Sequence, residues 1–449
     1  MELVLAMRVA APPDYHAVMA GLSATRLRAL LGSDAAEPWG AYLHWDKLRH
    51  LEPPAELSHE EWWLLIKLGR HRVLRPTQLR DPDGEPFVYC KPDLVLRRLH
   101  NVDQRCSGAI AMPAVVTADD QAQRHYLVNS LMEEAIRSSQ LEGATTSRKE
   151  AKELLRSGRA PEDRSERMIL NNYRGLEFLR EMDGPLTPTV VLELHRVLTE
   201  GTLDDPSASG RLQDPSDDRV AVLDRHDGHL VHKPPPAEQL PDRLAALCNF
   251  ANEPVDSEEF VHPVIRAILL HFWLAYDHPF EDGNGRTARA LFYWYMRSHG
   301  YWLVEYLSIS RILANAPSKY SKAFVLTETD ERDLTYFILY QLEVIQRAVD
   351  ELYAYLGRKV DEVREVEKLL RARVSDFNHR QLALLSHALR TPNQIYTLQS
   401  HSASHGVTHE TARNDLLPLT ERGLLIRTRM GRRHAFSPAE DLPEQLRER

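Results

Sequence analysis

The sequence predicts a mainly α-helical protein. A helical bundle is interrupted by one short β-hairpin, preceded by a helical N-terminal region and followed by a small domain of three helices and two strands. Three observations carry that expectation. Apolar residues recur at helical spacing through much of residues 113–357, as in Tyr126, Leu127, Leu131, Ala135 and Ile136, which marks one face of a 3.6-residue period. Inside that region, Val220-Ala221-Val222-Leu223 and His229-Leu230-Val231-His232 flank Asp227-Gly228, a turn pair that favours a hairpin. After residue 376 the character changes: three helical patterns end in two arginine-rich, strand-like runs.

Taken in order, residues 1–112 contain a capping box, Ser58-His59-Glu60-Glu61, ahead of an apolar run from Trp62 to Leu68. The Ser hydroxyl and the Glu carboxylate satisfy orphan donors of the first turn, so a helix starts there. Asp81-Pro82-Asp83-Gly84 is a turn before a strand at Pro86–Cys90. Trp45, Trp62 and Trp63 belong to a core or a docking face. In residues 113–357 the pattern predicts helices at Asp119–Leu141, Ser165–Met182, Thr187–Thr199, Ala237–Ala251, Pro263–Asp277, Asn284–Ser298 and Asp333–Gly357. Pro188, Pro241 and Pro263 suit first-turn positions, where a missing N–H costs nothing. Residues 358–375 are highly charged and continue a helix as a connector.

The chain has 449 residues, 27% charged and 43% hydrophobic. That is the composition of a globular protein of two or three domains rather than of a disordered one. A net charge of −9 argues against nucleic-acid binding over the whole surface and leaves room for a local basic patch. No apolar run approaches the roughly 20 residues of a transmembrane span. The start, Met1 to Arg8, lacks a basic stretch ahead of its apolar residues, so it makes a poor signal peptide. Cys90, Cys106 and Cys248 have no metal or disulfide spacing and read as core residues in a reducing compartment. The expected location is cytoplasmic, with no membrane partner.

The chemistry concentrates in His278-Pro279-Phe280-Glu281-Asp282-Gly283-Asn284-Gly285-Arg286-Thr287-Ala288-Arg289. Helical patterns on both sides make it a short loop that opens a buried helix. N–H groups at a helix N-terminus form an anion cradle, and glycines let a phosphate approach. Arg286 and Arg289 add fixed charge with forked donors. Asp282 can hold Mg²⁺ beside phosphates. His278 titrates near neutrality and can act as a general base.

This run resembles the signature of the Fic family, His-x-Phe-x-(Asp/Glu)-Gly-Asn-Gly-Arg-x-x-Arg, with every specified position matched. The resemblance covers about residues 115–345. It implies AMP transfer from ATP to a Ser, Thr or Tyr hydroxyl of a protein target, the chain itself included. His278 would be the base and Asp282 the Mg²⁺ ligand. Gly283, Asn284, Gly285, Arg286 and Arg289 would hold the phosphates, and Tyr320 would line the base or ribose pocket. It also implies that the hairpin is a flap that docks a target segment by strand addition, with Val220, Val222, Leu230 and Val231 on it. Upstream, Ser138-Ser139-Gln140-Leu141-Glu142-Gly143 is similar to the family's inhibitory motif, (Ser/Thr)-x-x-x-Glu-(Gly/Asn). In that case the helix at 119–143 is inhibitory, through Ser138, Glu142 and Gly143, and Glu142 pairs with Arg289 where the γ-phosphate would sit.

Residues 376–449 resemble a winged helix-turn-helix domain. The helices are expected at Asn378–Leu389, Thr391–Ser402 and Thr408–Arg422, and the strands at 424–429 and 432–436. Arg413 on the third helix, with Arg427, Arg429, Arg432 and Arg433 on the wing, would meet DNA; such domains also serve as protein-binding modules. Other readings stay open: removal of AMP from a modified protein, transfer of another phosphate-containing group, binding or kinase-like transfer alone, and a DNA-bound regulator whose nucleotide site is a sensor. A homodimer is also open.

Overall fold

In a computed structural model, the structure describes residues 9–32, 41–54, 56–107, 120–217, 219, 222–223, 230–257, 259–371, 376–390, 394–430, 433–439 and 441–448. It is mainly helical, as expected. The described α-helices are α1 (Tyr15–Gly21), α2 (Ala24–Leu31), α3 (Trp45–Leu48), α4 (His59–His71), α5 (Asp93–Val102), α6 (Asp120–Leu141), α7 (Arg148–Ser157), α8 (Arg164–Glu181), α9 (Pro188–Thr199), α10 (Leu240–Asn252), α11 (Pro263–Asp277), α12 (Asn284–Ser298), α13 (Ile309–Ala314), α14 (Pro317–Thr329), α15 (Thr335–Arg371), α16 (His379–Arg390), α17 (Leu398–His405), α18 (His409–Glu421) and α19 (Leu442–Glu448). The strands are β1 (Arg75–Arg80), β2 (Pro86–Tyr89), β3 (Val222–Leu223), β4 (Leu230–His232), β5 (Tyr396–Thr397), β6 (Leu425–Met430) and β7 (Arg433–Pro438). Two compact units divide the chain, residues 1–110 with 123–352 and residues 111–122 with 353–449.

In the first unit the centre is the antiparallel pair α11 and α12, joined by the polar loop at 278–283. Helix α11 is apolar nearly all round. Ile265, Ile268, Leu270, Phe272 and Leu274 are all buried, the mark of a core helix rather than a surface one. Helices α8 and α9 pack as a second pair against α12. The capping box is present at Ser58, and Pro188, Pro241 and Pro263 stand in first turns. Strand β2 pairs with β1, which the sequence reading left unassigned, and bridges to the start of α15 through Val88 and Asp333.

The N-terminal region is tied to the turn before α15 by charge. Lys67 and Arg70, both buried, face Asp330 at 2.7 Å and 3.7 Å, and Arg70 donates to the Tyr336 hydroxyl at 2.6 Å. Buried cations are tolerated when paired in this way. Trp62 and Trp63 are core residues with Tyr15, Leu43 and Leu48. Cys90, Cys106 and Cys248 are buried free thiols.

In the second unit, β5, β7 and β6 form one antiparallel sheet in that order. Its core joins Leu384, Leu385, Leu416, Leu419, Leu424 and Phe436. The middle helix starts at Leu398, later than the Thr391 read from sequence, because Tyr396 and Thr397 pair with Phe436 and Ala435 as a strand. Thr397 then caps the helix. Thr408 caps α18, so that helix begins one residue later than expected.

Candidate functional site

The loop between α11 and α12 holds itself in shape. Helix α11 ends on His278, which takes the left-handed conformation, φ 46° and ψ 53°, and donates its N–H to Leu274 O at 3.0 Å. A non-glycine residue there is strained and needs its surroundings to hold it. Asn284 bolts the loop across its base. It accepts from Phe280 N–H at 2.9 Å and donates to Phe280 O at 2.8 Å. Phe280 is fully buried and stacks on the His195 ring, centroids 3.8 Å apart. His195 accepts from Gly210 N–H at Nδ1 (3.0 Å), so its Nε2 carries the proton and donates to Asp282 O at 2.9 Å. Gly283 has φ 81°, and a Cβ there would come within 2.9 Å of Thr199 Cγ2, so glycine is required twice over.

The His278 ring is neutral near pH 7. Burial pushes its pKa down to about 4, the nearby His232 pushes the same way, and a bond to the Ala275 carbonyl opposes them. That bond uses the one N–H of a neutral ring, which leaves the other nitrogen as a proton acceptor.

The first N–H groups of α12, at Asn284, Gly285 and Arg286, have no intrahelical partners. The space above them is occupied by a carboxylate from the turn that follows α6. A Cβ at Gly285 would collide with Glu142 Oε1 and lie 2.9 Å from Arg289 Nη1. Glu142 Oε1 accepts from Arg289 Nη2 at 2.8 Å. Arg289 is almost wholly buried, whereas the Glu142 side chain keeps 24% of its exposure. The Arg289 guanidinium is further fixed by Ser138, whose hydroxyl accepts from Nε at 2.9 Å and whose carbonyl accepts from Nη2 at 3.0 Å. Burial works against the charge on Arg289, yet Glu142 holds its pKa above the ordinary value. Gly143 follows with φ 98°, which lets the chain turn sharply after α6.

Arg286 is buried, donates to Leu198 O at 2.8 Å and faces the Asp282 carboxylate at 3.5 Å. Its Nε has no partner among the described residues. Asp282 keeps 36% of its side-chain exposure, and Arg164 lies 3.8 Å from its carboxylate. Tyr320, on α14, bonds to His271 Nε2 at 2.8 Å and faces Arg289. Among the described residues no group of three or more His, Cys, Asp or Glu is arranged to hold an ion by itself. One part-exposed carboxylate at the mouth of an anion cradle fits Mg²⁺, which takes the rest of its shell from water and phosphate.

The structure thus brings His278, Asp282, Gly283, Asn284, Gly285, Arg286, Arg289, Tyr320, Ser138, Glu142 and Gly143 to one site. Of the expected hairpin, β3 and β4 pair antiparallel, Val222 with His232 and Leu223 with Leu230. Val231 lies on β4. Val220 lies outside the described residues.

Residues 185–296 match the Fic/DOC family. That part of the chain is similar to a Fic domain. A protein adenylyltransferase Fic from Nematostella vectensis is 29% identical over 128 residues, 28% of this chain and 26% of the relative. Protein adenylyltransferase fic-1 from Caenorhabditis elegans is 30% identical over 111 residues, 25% of this chain and 19% of the relative. The chain therefore spans about a quarter or less of the length of these curated relatives. The crystal structure of a Fic family protein from Desulfovibrio desulfuricans G20 superposes with a TM-score of 0.50 at 19% identity, covering 77% of this chain and 94% of that one. That likeness speaks for the fold.

Several residues of the site escaped the sequence reading. His195 and Thr199 lie on α9, about 80 residues from the loop they support. Arg219 donates to Asp277 O and His278 O, and Arg243 holds the Asp277 carboxylate at 2.6 Å. His232 donates from Nε2 to Tyr276 O at 2.8 Å. A histidine on an otherwise apolar helix face was the available signal for His195; nothing in the sequence marked the arginines.

Proposed function

We propose that this protein is an adenylyltransferase that moves AMP from ATP to a hydroxyl of a protein, and that Glu142 restrains it. The observation that carries the reading is a neutral imidazole, His278, at the rim of an anion cradle built on the N-terminus of α12. A target Ser, Thr or Tyr oxygen attacks the α-phosphorus. The bond from that phosphorus to the bridging oxygen breaks, and pyrophosphate leaves with its electron pair. His278 takes the hydroxyl proton. The N–H groups of Gly283, Asn284 and Gly285 stabilise the charge that builds on the α-phosphate oxygens. Arg286 neutralises the β-phosphate, and Arg289, once released from Glu142, the γ-phosphate. Asp282 would hold Mg²⁺, which lowers the charge of the phosphates when bound.

Docking of the polypeptide target on β3 and β4 is part of the proposal. The relatives are named protein adenylyltransferase, which supports the same reaction class. Replacing His278 with Ala tests the assignment. Transfer should fall about 10²–10⁴-fold, the usual cost of losing a general base, while ATP binding persists. Normal labelling by that variant would refute the mechanism.

A second reading concerns residues 376–449, which we propose form a winged helix-turn-helix domain that binds DNA. It is favoured by exposure. Thr408, His409, Arg413 and Asn414 are exposed at the start of α18, and Arg427 and Arg429 are exposed on β6. Arg433 is a strand residue of β7, and Arg432 lies outside the described residues.

A further inference from the structure

The hairpin is chemically stapled to the histidine it stands beside. Helix α11 ends at Asp277, and the last carbonyls of a helix lack intrahelical partners. Here three successive carbonyls at that end find donors on the two flanks of the hairpin. Tyr276 O accepts from His232 Nε2 at 2.8 Å. Asp277 O accepts from Arg219 Nη2 at 2.8 Å, and His278 O from Arg219 Nη1 at 2.9 Å. Cationic donors are favoured at a helix C-terminus by the helix dipole.

The same two side chains reach outward as well. Arg219 Nε donates to Pro235 O at 3.1 Å, beyond β4, and Nη1 also donates to Gln213 Oε1. Gln213 N–H in turn bonds to Pro279 O at 2.9 Å. One guanidinium therefore joins the entry to β3, the exit from β4 and the loop at 278–279. His232 Nδ1 lies 2.7 Å from Glu328 Oε2 on α14, which fixes the ring from its other side. The strained left-handed backbone of His278 has only its own N–H bond to Leu274 within α11; the Arg219 fork supplies the further restraint that such a conformation needs.

We infer that Arg219 and His232 are positioning residues: they hold the His278 backbone in its left-handed turn and keep the hairpin in register with it. The catalytic part of this inference rests on the adenylyltransferase reading. A segment that added to the hairpin would then meet the His278 ring at a set distance. Among the described residues, the hydrogen bonds of these two side chains run to Gln213, Pro235, Tyr276, Asp277, His278 and Glu328 rather than to the anion cradle, so neither is needed to hold the nucleotide.

The test uses the full chain with Glu142→Gly as parent, and compares Arg219→Ala, Arg219→Lys, His232→Ala and His232→Gln. Three quantities are read: amide hydrogen exchange at Gln213 and His278, the ATP dissociation constant, and the transfer rate at saturating ATP. In Arg219→Ala, exchange at these two amides should speed up by about tenfold or more, as local opening separates from global unfolding. The transfer rate should fall about 10²-fold, the typical cost of misplacing a reacting group by about 1 Å, with ATP affinity within about twofold of the parent. Arg219→Lys, which keeps the charge without the fork, should recover part of the rate. His232→Gln, which can still donate to Tyr276 O, should lose less than His232→Ala. Unchanged exchange at Gln213 and His278 in Arg219→Ala would overturn the inference. So would a parallel loss of ATP affinity and rate, which marks general damage. If the Glu142→Gly parent transfers no AMP, the adenylyltransferase reading falls, and exchange alone decides the clamp.

Discussion

Removing the Glu142 carboxylate should switch this protein on. Glu142 Oε1 sits over Gly285 and bonds to Arg289 at 2.8 Å, so two costs fall on a triphosphate that enters. The first is repulsion. Two unit charges about 4 Å apart at an effective dielectric near 20 interact by about 4 kcal/mol, and Glu142 is near enough to the cradle for a phosphate to meet that scale. The second is competition: while Glu142 holds Arg289, the fork is not available to the phosphates, and a charge-assisted bond of this kind is worth about 1.5–3 kcal/mol. The nucleotide escapes part of both by shifting, at the expense of alignment for in-line attack. With each 1.4 kcal/mol equal to a tenfold change in rate, Glu142→Gly should raise AMP transfer by about 10²–10³-fold. The assay is incorporation of α-labelled ATP by the wild type, Glu142→Gly, His278→Ala and the double variant. The gain should vanish in the double variant. Equal, substantial labelling of wild type and Glu142→Gly would refute the inhibitory role and leave the role of His278 standing.

Three further outcomes are expected. Asn284→Ala leaves the buried Phe280 N–H and C=O without partners; at about 1–3 kcal/mol for each orphaned group, urea unfolding should show a loss of about 2–6 kcal/mol, and a loss under 1 kcal/mol would disprove the bolt. Stability should fall as pH drops from about 6.5 to 4, because burial holds His44, His195 and His278 at about 4 and His271 at about 3. Over that window the unfolded chain binds protons that the folded chain does not, so unfolding takes up protons and acid favours it. His232 works the other way: burial opposes its charge, but Glu328 raises its pKa, so its contribution is present at low pH and is lost as pH rises through the raised value. A urea midpoint that is flat from pH 7 to 4 would contradict the burial of these rings. Finally, if the second unit binds DNA through Arg413, Arg427 and Arg429, the logarithm of affinity should fall with the logarithm of salt by about 0.9 per phosphate contacted. Deleting residues 376–449 should abolish binding and spare self-modification; no DNA retention by the full chain at low salt would refute that role.

Much of the bundle was legible because its signals are local. The bounds of α11 and α12 were read to the residue from periodicity, the first-turn Pro263 and the glycines of the loop. Ser58 and its Glu61 announced α4. The reading missed α1, α2, α3, α5, α7, α13, α14 and α19, and took the segment after Thr391 for helix where Tyr396 and Thr397 form a strand. Some of these are short, α13 among them, and β5 exists through its pairing with β7, a contact some 40 residues away that no local pattern encodes.

The site divides along the same line. By itself the sequence determined which groups could do chemistry: a histidine, a carboxylate, glycines and two arginines at fixed spacing on a loop that opens a helix. That follows from short-range geometry, since a loop of six residues, 278–283, has few ways to join two helices. It also flagged Glu142 from its motif, but could not show what the carboxylate touches. Tertiary structure decided that Glu142 and Arg289, 147 positions apart, share a hydrogen bond over Gly285. It decided that His278 is neutral, since its pKa is set first by burial. It also decided that Arg219 and His232, unremarkable in the sequence, cap the end of α11. Burial, charge pairing and the capping of helix ends depend on which distant segments are packed together, and only the folded chain specifies that.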